Sequence, residues 1–157
     1  MKKAVLTLVI ALSTVVGQSQ NKKVASIDNS ISYKTIKVDN LDIFYREAGN
    51  PSKPTLLLLH GFPSSSRMYE KLINDLAGNY HLIAPDYPGF GQSSAPKPSE
   101  YVYTFDNLAT TVNHFIDLMG LKKFTLYLQD YGGPVGFRIA SQRPELIQAL
   151  IVQNANA

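Results

Sequence analysis

The 157-residue chain has no cysteine and no tryptophan. The first absence excludes disulfides, thiolate nucleophiles, cysteine-type zinc sites and iron–sulfur clusters. Charge is scarce as well: 17% of residues are charged, and fifteen basic against twelve acidic side chains leave +3. Two of those lysines are Lys2 and Lys3, without which the balance is +1. With no Lys/Arg block there is no electrostatic footprint for nucleic acid or for an anionic membrane surface. Histidine is limited to His60, His81 and His114, at spacings that suit no metal site. No cofactor motif accompanies them. Gly89-Phe90-Gly91-Gln92-Ser93-Ser94 begins like a dinucleotide fingerprint but lacks its third glycine and the helix that should follow at once. What is present, 45% hydrophobic residues with 10 Gly and 9 Pro, is the balance of one globular domain.

No apolar run reaches the roughly 20 residues of a membrane-spanning helix. The run that exists, Ala4 to Val16 behind Lys2-Lys3, has the grammar of a secretory signal, with small or polar residues from Gly17 onward. Cleavage after Gly17 or Ser19 would remove residues 1–19 and send the product to the periplasm or the medium; a retained anchor is the other reading. Residues 20–32 are polar and are expected to form a flexible mature N-terminus.

From Tyr33 on, the pattern is structural. Tyr33–Val38 and Leu41–Arg46 alternate around Asp39-Asn40, which predicts an antiparallel hairpin. Four apolar runs follow, Leu56–Leu59, His81–Ala84, Phe124–Leu128 and Ala149–Val152, of the kind found in strands covered on both faces. Helical stripes separate them. Met68, Leu72, Ile73 and Leu76 form one, capped by Ser64, Ser65 or Ser66. Leu108, Val112, Phe115, Ile116 and Met119 form another, stopped by Gly120, and a third starts at Gly133-Pro134 and ends before Arg143-Pro144. A hairpin followed by repeated strand and helix predicts a three-layer α/β/α sandwich on a mostly parallel sheet, filling residues 33–157.

Chemistry in such sheets gathers at the carboxyl ends of the strands. Three turns lie there. The run Gln129-Asp130-Tyr131-Gly132-Gly133 takes a strand straight into a helix, and its two glycines give the room a sharp, strained turn needs around Asp130. His60-Gly61-Phe62-Pro63 follows the first parallel strand, and Pro85 to Ser94 follows the second. Asp130 at such an apex is either a nucleophile or a cap of the next helix. Asp86 reads as a brace for its loop, His60 as support for its turn, and His81, His114 and the tyrosines as structural or surface residues.

Together, in this order and spacing, the three turns resemble the aspartate-nucleophile branch of the α/β-hydrolases, the epoxide hydrolases and haloalkane dehalogenases. HGFP is similar to the HGxP of epoxide hydrolases, and QDYGG to the QDWGG or HDWGG turn of both groups, with Leu128 in place of a small residue. The resemblance implies Asp130 as nucleophile, the backbone N–H groups of Phe62 and Tyr131 as oxyanion hole, and His60, Gly61, Pro63, Gly132 and Gly133 as support for the two turns. It implies a small apolar substrate, an epoxide or an alkyl halide, and neither metal nor cofactor. Dehalogenases usually place a halide-binding Trp after the nucleophile; Tyr131 stands there instead.

A carboxylate is a poor attacker of carbonyls, because the product would be a mixed anhydride. Its useful target is a saturated carbon, giving an alkyl-enzyme ester that histidine-activated water hydrolyses. The family's late histidine, its acid partner and its cap domain match nothing after Asp130 in this sequence. The expectation is therefore the N-terminal part of such a hydrolase, C-terminally incomplete and without turnover alone. Its last strand would be an apolar edge open to self-association. A non-catalytic binding fragment is the alternative outside enzymology.

Overall fold

The computed structural model describes residues 30–156. The expected export signal and nearly all of the expected N-terminal tail lie outside the described residues. Alternation builds the first hairpin: β1 (Ser32–Val38) and β2 (Leu41–Ala48) pair antiparallel, with Val38 opposite Leu41 and Ile36 opposite Ile43. Asp39 turns the corner at φ 52°, in the left-handed region that short polar side chains tolerate.

The four apolar runs become β3 (Thr55–Leu59), β4 (His81–Pro85), β5 (Phe124–Gln129) and β6 (Ile147–Gln153). The sheet order is β1-β2-β4-β3-β5-β6; β4, β3, β5 and β6 run parallel, and β2 meets β4 antiparallel. β3 and β4 are buried at every position, which is why their sequences do not alternate. Leu57, Leu59 and Ile83 face α2 (Phe105–Leu118) and α3 (Gly132–Gln142), whereas Leu56, Leu58, Leu82 and Ala84 face α1 (Glu70–Leu76). The three-layer sandwich follows.

α2 shows how the sequence sets these layers. Thr104 Oγ1 accepts from Asn107 N–H at 3.2 Å to cap its start, and Gly120 at φ 65° ends it. Between them Leu108, Val112, Phe115 and Ile116 are buried, each stabilising the domain by about 1.5–3 kcal/mol.

One element departs from the sequence expectation, and the last strand meets it. The first helix begins as a 3-10 turn, Ser66–Tyr69, capped by Ser65. Its tighter winding puts Tyr69 inside at 3% exposure, donating its hydroxyl to Leu59 O at 2.9 Å, and leaves Met68 outside at 40%. β6 has the composition of a doubly covered strand but forms the open apolar edge expected of the last strand, with Leu150, Ile151 and Val152 42–50% exposed. Among the described residues no strand pairs its far edge.

Candidate active site

From β3 the chain winds to β4 on one side, then crosses back through α2 to β5 on the other. Where winding reverses, the carboxyl ends of neighbouring strands leave a crevice. The turns flanking it are residues 60–63 after β3 and 130–133 after β5, so the topology brings two of the three singled-out turns together.

Asp130 holds φ 50°, which costs roughly 1–2 kcal/mol for a residue with a Cβ and lifts its side chain out of the strand-to-helix turn. Gly132 makes the turn possible: a Cβ there would lie 2.1 Å from Leu59 O. Gly61 allows the two turns to touch, since its own Cβ would lie 2.5 Å from Asp130 Cβ. The half-buried carboxylate is held by one oxygen. Asp130 Oδ1 accepts from Phe62 N–H at 2.8 Å and from Tyr131 N–H at 2.7 Å, while no protein donor reaches Oδ2 among the described residues. Asp130 O accepts from Gly133 N–H at 2.9 Å, closing the turn. The Phe62–Pro63 peptide is cis.

His60 is fully buried. Its Nδ1–H donates to Gly61 O at 3.0 Å, and its Nε2 accepts from Tyr87 N–H at 3.2 Å, a pattern that only the neutral ring satisfies. Burial pushes its pKa down from the usual histidine range, in keeping with that tautomer. The ring lies tilted at 37° to that of Tyr87, centroids 4.3 Å apart. Asp86, 1% exposed, accepts from Ser66 N–H at 2.7 Å through Oδ1 and from Gln92 N–H at 2.9 Å through Oδ2, bracing the third turn against the first helix.

The other histidines lie elsewhere. His81 Nε2 meets Glu47 Oε1 at 2.7 Å and its Nδ1 meets Thr55 Oγ1 at 3.2 Å, at the amino ends of β3 and β4. His114 Nδ1 meets Asp39 Oδ2 at 2.8 Å on the exposed side of α2. No group of three or more His, Cys, Asp or Glu that could hold a metal ion occurs among the described residues.

A cavity of about 340 Å³ opens beside the two turns that hold Asp130, lined by Phe62 and Tyr131 of those turns and by Phe90, Tyr103, Thr104, Phe105 and Leu108. A larger hollow, about 520 Å³, lies at the opposite edge among Lys53, His81, Lys122 and Lys123, away from either turn at Asp130. Sequence reasoning left Phe90 and Phe105 out of the site, and took the tyrosines for packing. Phe90 carried a signal, its place in the third carboxyl-edge loop; Phe105 carried none, because it arrives from the start of α2.

Residues 54–157 match the family model for the alpha/beta hydrolase fold. The chain belongs to the α/β-hydrolase fold family. The α/β-hydrolase chain is 47% identical over 119 residues to an uncharacterised hydrolase of Saccharomyces cerevisiae, covering 76% of itself and 40% of that protein. It is 36% identical over 122 residues to epoxide hydrolase 4 of Mus musculus, covering 78% of itself and 34% of the relative. Among solved structures it resembles a loop variant of a haloalkane dehalogenase from Bradyrhizobium elkanii, with a TM-score of 0.75, 34% identity, and coverage of 79% of this chain and 40% of that one. This α/β-hydrolase chain thus spans 34–41% of the length of the curated relatives it matches first.

Proposed function

We propose that the chain carries the nucleophile of an epoxide-hydrolase-type enzyme, with Asp130 attacking a saturated carbon of a small apolar substrate. One observation carries this: Oδ1 of Asp130 is held by two main-chain N–H groups while Oδ2 has no donor among the described residues. A mere helix cap would have its carboxylate spent on the N–H groups of its own helix. Here one of the two donors comes from a turn 68 residues away.

In the first step Oδ2 forms a bond to an epoxide carbon as the C–O bond of the ring breaks, and the released alkoxide takes up a proton from solvent. The product is a hydroxyalkyl ester of Asp130. In the second step water adds to the ester carbonyl, its proton going to a base, and negative charge collects on Oδ1. The Phe62 and Tyr131 N–H groups already sit 2.7–2.8 Å from that oxygen, so they need no reorganisation to hold the oxyanion. Collapse breaks the bond from the acyl carbon to Oδ2, which leaves in the diol with the proton returned by the base, and the oxygen from water completes the restored carboxylate as the acid gives its proton to solvent. The chain's own histidines leave this second step without a base: His60 has both ring nitrogens engaged, and His81 and His114 pair with Glu47 and Asp39. An epoxide suits the site better than a halide, because Tyr131 offers no indole N–H to a departing halide ion.

Incubation of the purified chain with 1,2-epoxyhexane, followed by intact-mass analysis and peptide mapping, tests both steps. The expected result is a single adduct of the epoxide's mass on Asp130 that persists for hours, and none in Asp130→Asn once deamidation is checked. An adduct elsewhere, or none, would remove Asp130 as nucleophile; sustained diol release would show that the chain has its own base. Export belongs to the same proposal, supported by Lys2-Lys3 and the apolar run behind them. N-terminal sequencing of secreted material is expected to begin close to residue 20.

A further inference from the structure

We infer that the substrate presents an aromatic ring, which the cavity beside Asp130 takes up through its own rings; this rests on the assignment of Asp130 as nucleophile. The cavity is lined by no charged side chain, so a charged body would lose its hydration there without compensation. Five of its seven lining residues are aromatic, and they are already arranged as aromatic partners. Phe62 lies stacked over Tyr131 with centroids 5.5 Å apart, and Phe105 meets Tyr131 edge to face at 4.9 Å and 87°. Phe90 stands at 88° to Phe62. Phe62 is also 59% exposed, an unusual position for a ring of this size. Tyr103 spends its hydroxyl on Pro96 O at 2.6 Å and so offers the cavity only its ring.

Size agrees with this. An apolar cavity of about 150 Å³ holds a benzene molecule, so about 340 Å³ admits a ring together with the short chain that carries the epoxide to the carboxylate. Aliphatic groups would gain from burial alone. A flat ring adds the face-to-edge attraction of its quadrupole, enough to favour it about threefold to tenfold over a saturated ring of the same skeleton.

The test uses an unreactive pair, 3-phenyl-1-propanol and 3-cyclohexyl-1-propanol, titrated into the complete chain and followed by the amide resonances of Phe62 and Tyr131. The aryl alcohol is expected to bind at least threefold more tightly, with both amides shifting, and the difference is expected to vanish in Phe105→Leu. Phe62→Leu, at an exposed side chain, provides a second variant if Phe105→Leu does not fold. Equal affinities, no binding of the aryl alcohol, or an unchanged ratio in both variants would overturn the inference. The companion experiment compares adduct formation by (2,3-epoxypropyl)benzene and (2,3-epoxypropyl)cyclohexane, neither of which has a benzylic epoxide carbon. Adducts from both at equal rates would sink the aromatic preference and leave Asp130 standing as nucleophile. No adduct from either, with the alcohol preference intact, would remove the nucleophile and leave the ring-binding cavity.

Discussion

The turn at Asp130 depends on what its neighbours lack. Gly132 packs against Leu59 so closely that an added methyl would meet Leu59 O at 2.1 Å and Leu59 C at 2.9 Å, both backbone atoms of a fully buried strand. Neither atom can step aside, so Gly132→Ala is expected to destabilise the fold by about 3 kcal/mol or more, read as a lower urea midpoint at unchanged slope. A change below about 1 kcal/mol would mean the turn relaxes. Tyr87 presents the opposite situation. It is 1% exposed, and its hydroxyl has no hydrogen-bond partner among the described residues. Burial pushes its pKa up, which keeps the phenol neutral. Tyr87→Phe removes only that unpaired oxygen and is expected to stabilise the fold by about 1 kcal/mol in the same assay; a loss of stability would show that the oxygen has a partner. Of these residues, Asp130, Gly132 and Gly133 were legible in the sequence because the constraint is local, a strand entering a helix with no loop between. Tyr87 was not, since its contact with His60 joins residues 27 positions apart across two strands.

A polar cluster that composition alone would not locate ties the amino ends of β1, β3 and β4 to the carboxyl end of the antiparallel β2. Glu47 of β2 accepts from His81 of β4 at 2.7 Å and from Lys34 of β1 at 2.7 Å, and His81 reaches Thr55 of β3 at 3.2 Å, so four adjacent strands share one network. The hydrogen bond from His81, and after it that from Lys34, hold the Glu47 carboxyl at about 2 against an ordinary 4.5, with burial opposing them. A depressed carboxylate binds its proton less readily folded than unfolded. Its stabilisation is therefore complete above pH 4.5 and is lost as the pH falls from there toward 2. After allowance for solvent screening this amounts to about 2 kcal/mol. Thermal unfolding between pH 2 and 5 is expected to show a steeper decline in the native chain than in Glu47→Gln; parallel curves would mean the network adds nothing. The hairpin and the helices were readable from their periods, and the parallel strands from short continuous apolar runs that end in turn residues. Their order was not, because the pairing of β2 with β4 depends on which edge the hairpin joins. The third turn reinforces that edge: Ser93 Oγ and Ser94 Oγ accept from Phe44 N–H and Asp42 N–H, each at 2.9 Å, where β4 has ended.

The whole molecule has two sheet edges of different character. β1 presents Lys34 and Lys37, whose charges discourage another strand from docking. β6 presents Ile147-Gln148-Ala149-Leu150-Ile151-Val152-Gln153, with neither charge nor proline, and with Leu150, Ile151 and Val152 exposed. Successive strand residues point to opposite faces, so this exposure means that both faces of β6 are open, alongside a ladder unpaired on its outer side among the described residues. Such an edge templates a second copy through the same hydrogen bonds that join β5 to β6. This is the open apolar edge expected of the last strand, although the composition of the run is that of an interior strand, because burial depends on what lies next to it. The purified chain is expected to associate with rising concentration in sedimentation velocity. Ile151→Lys with Val152→Lys places one charge on each face and is expected to leave a monomer with an unchanged circular dichroism spectrum, since neither side chain is buried in the domain. A native chain that stays monomeric over the same range would show that β6 protects itself, and association that survives both lysines would move the contact away from this edge.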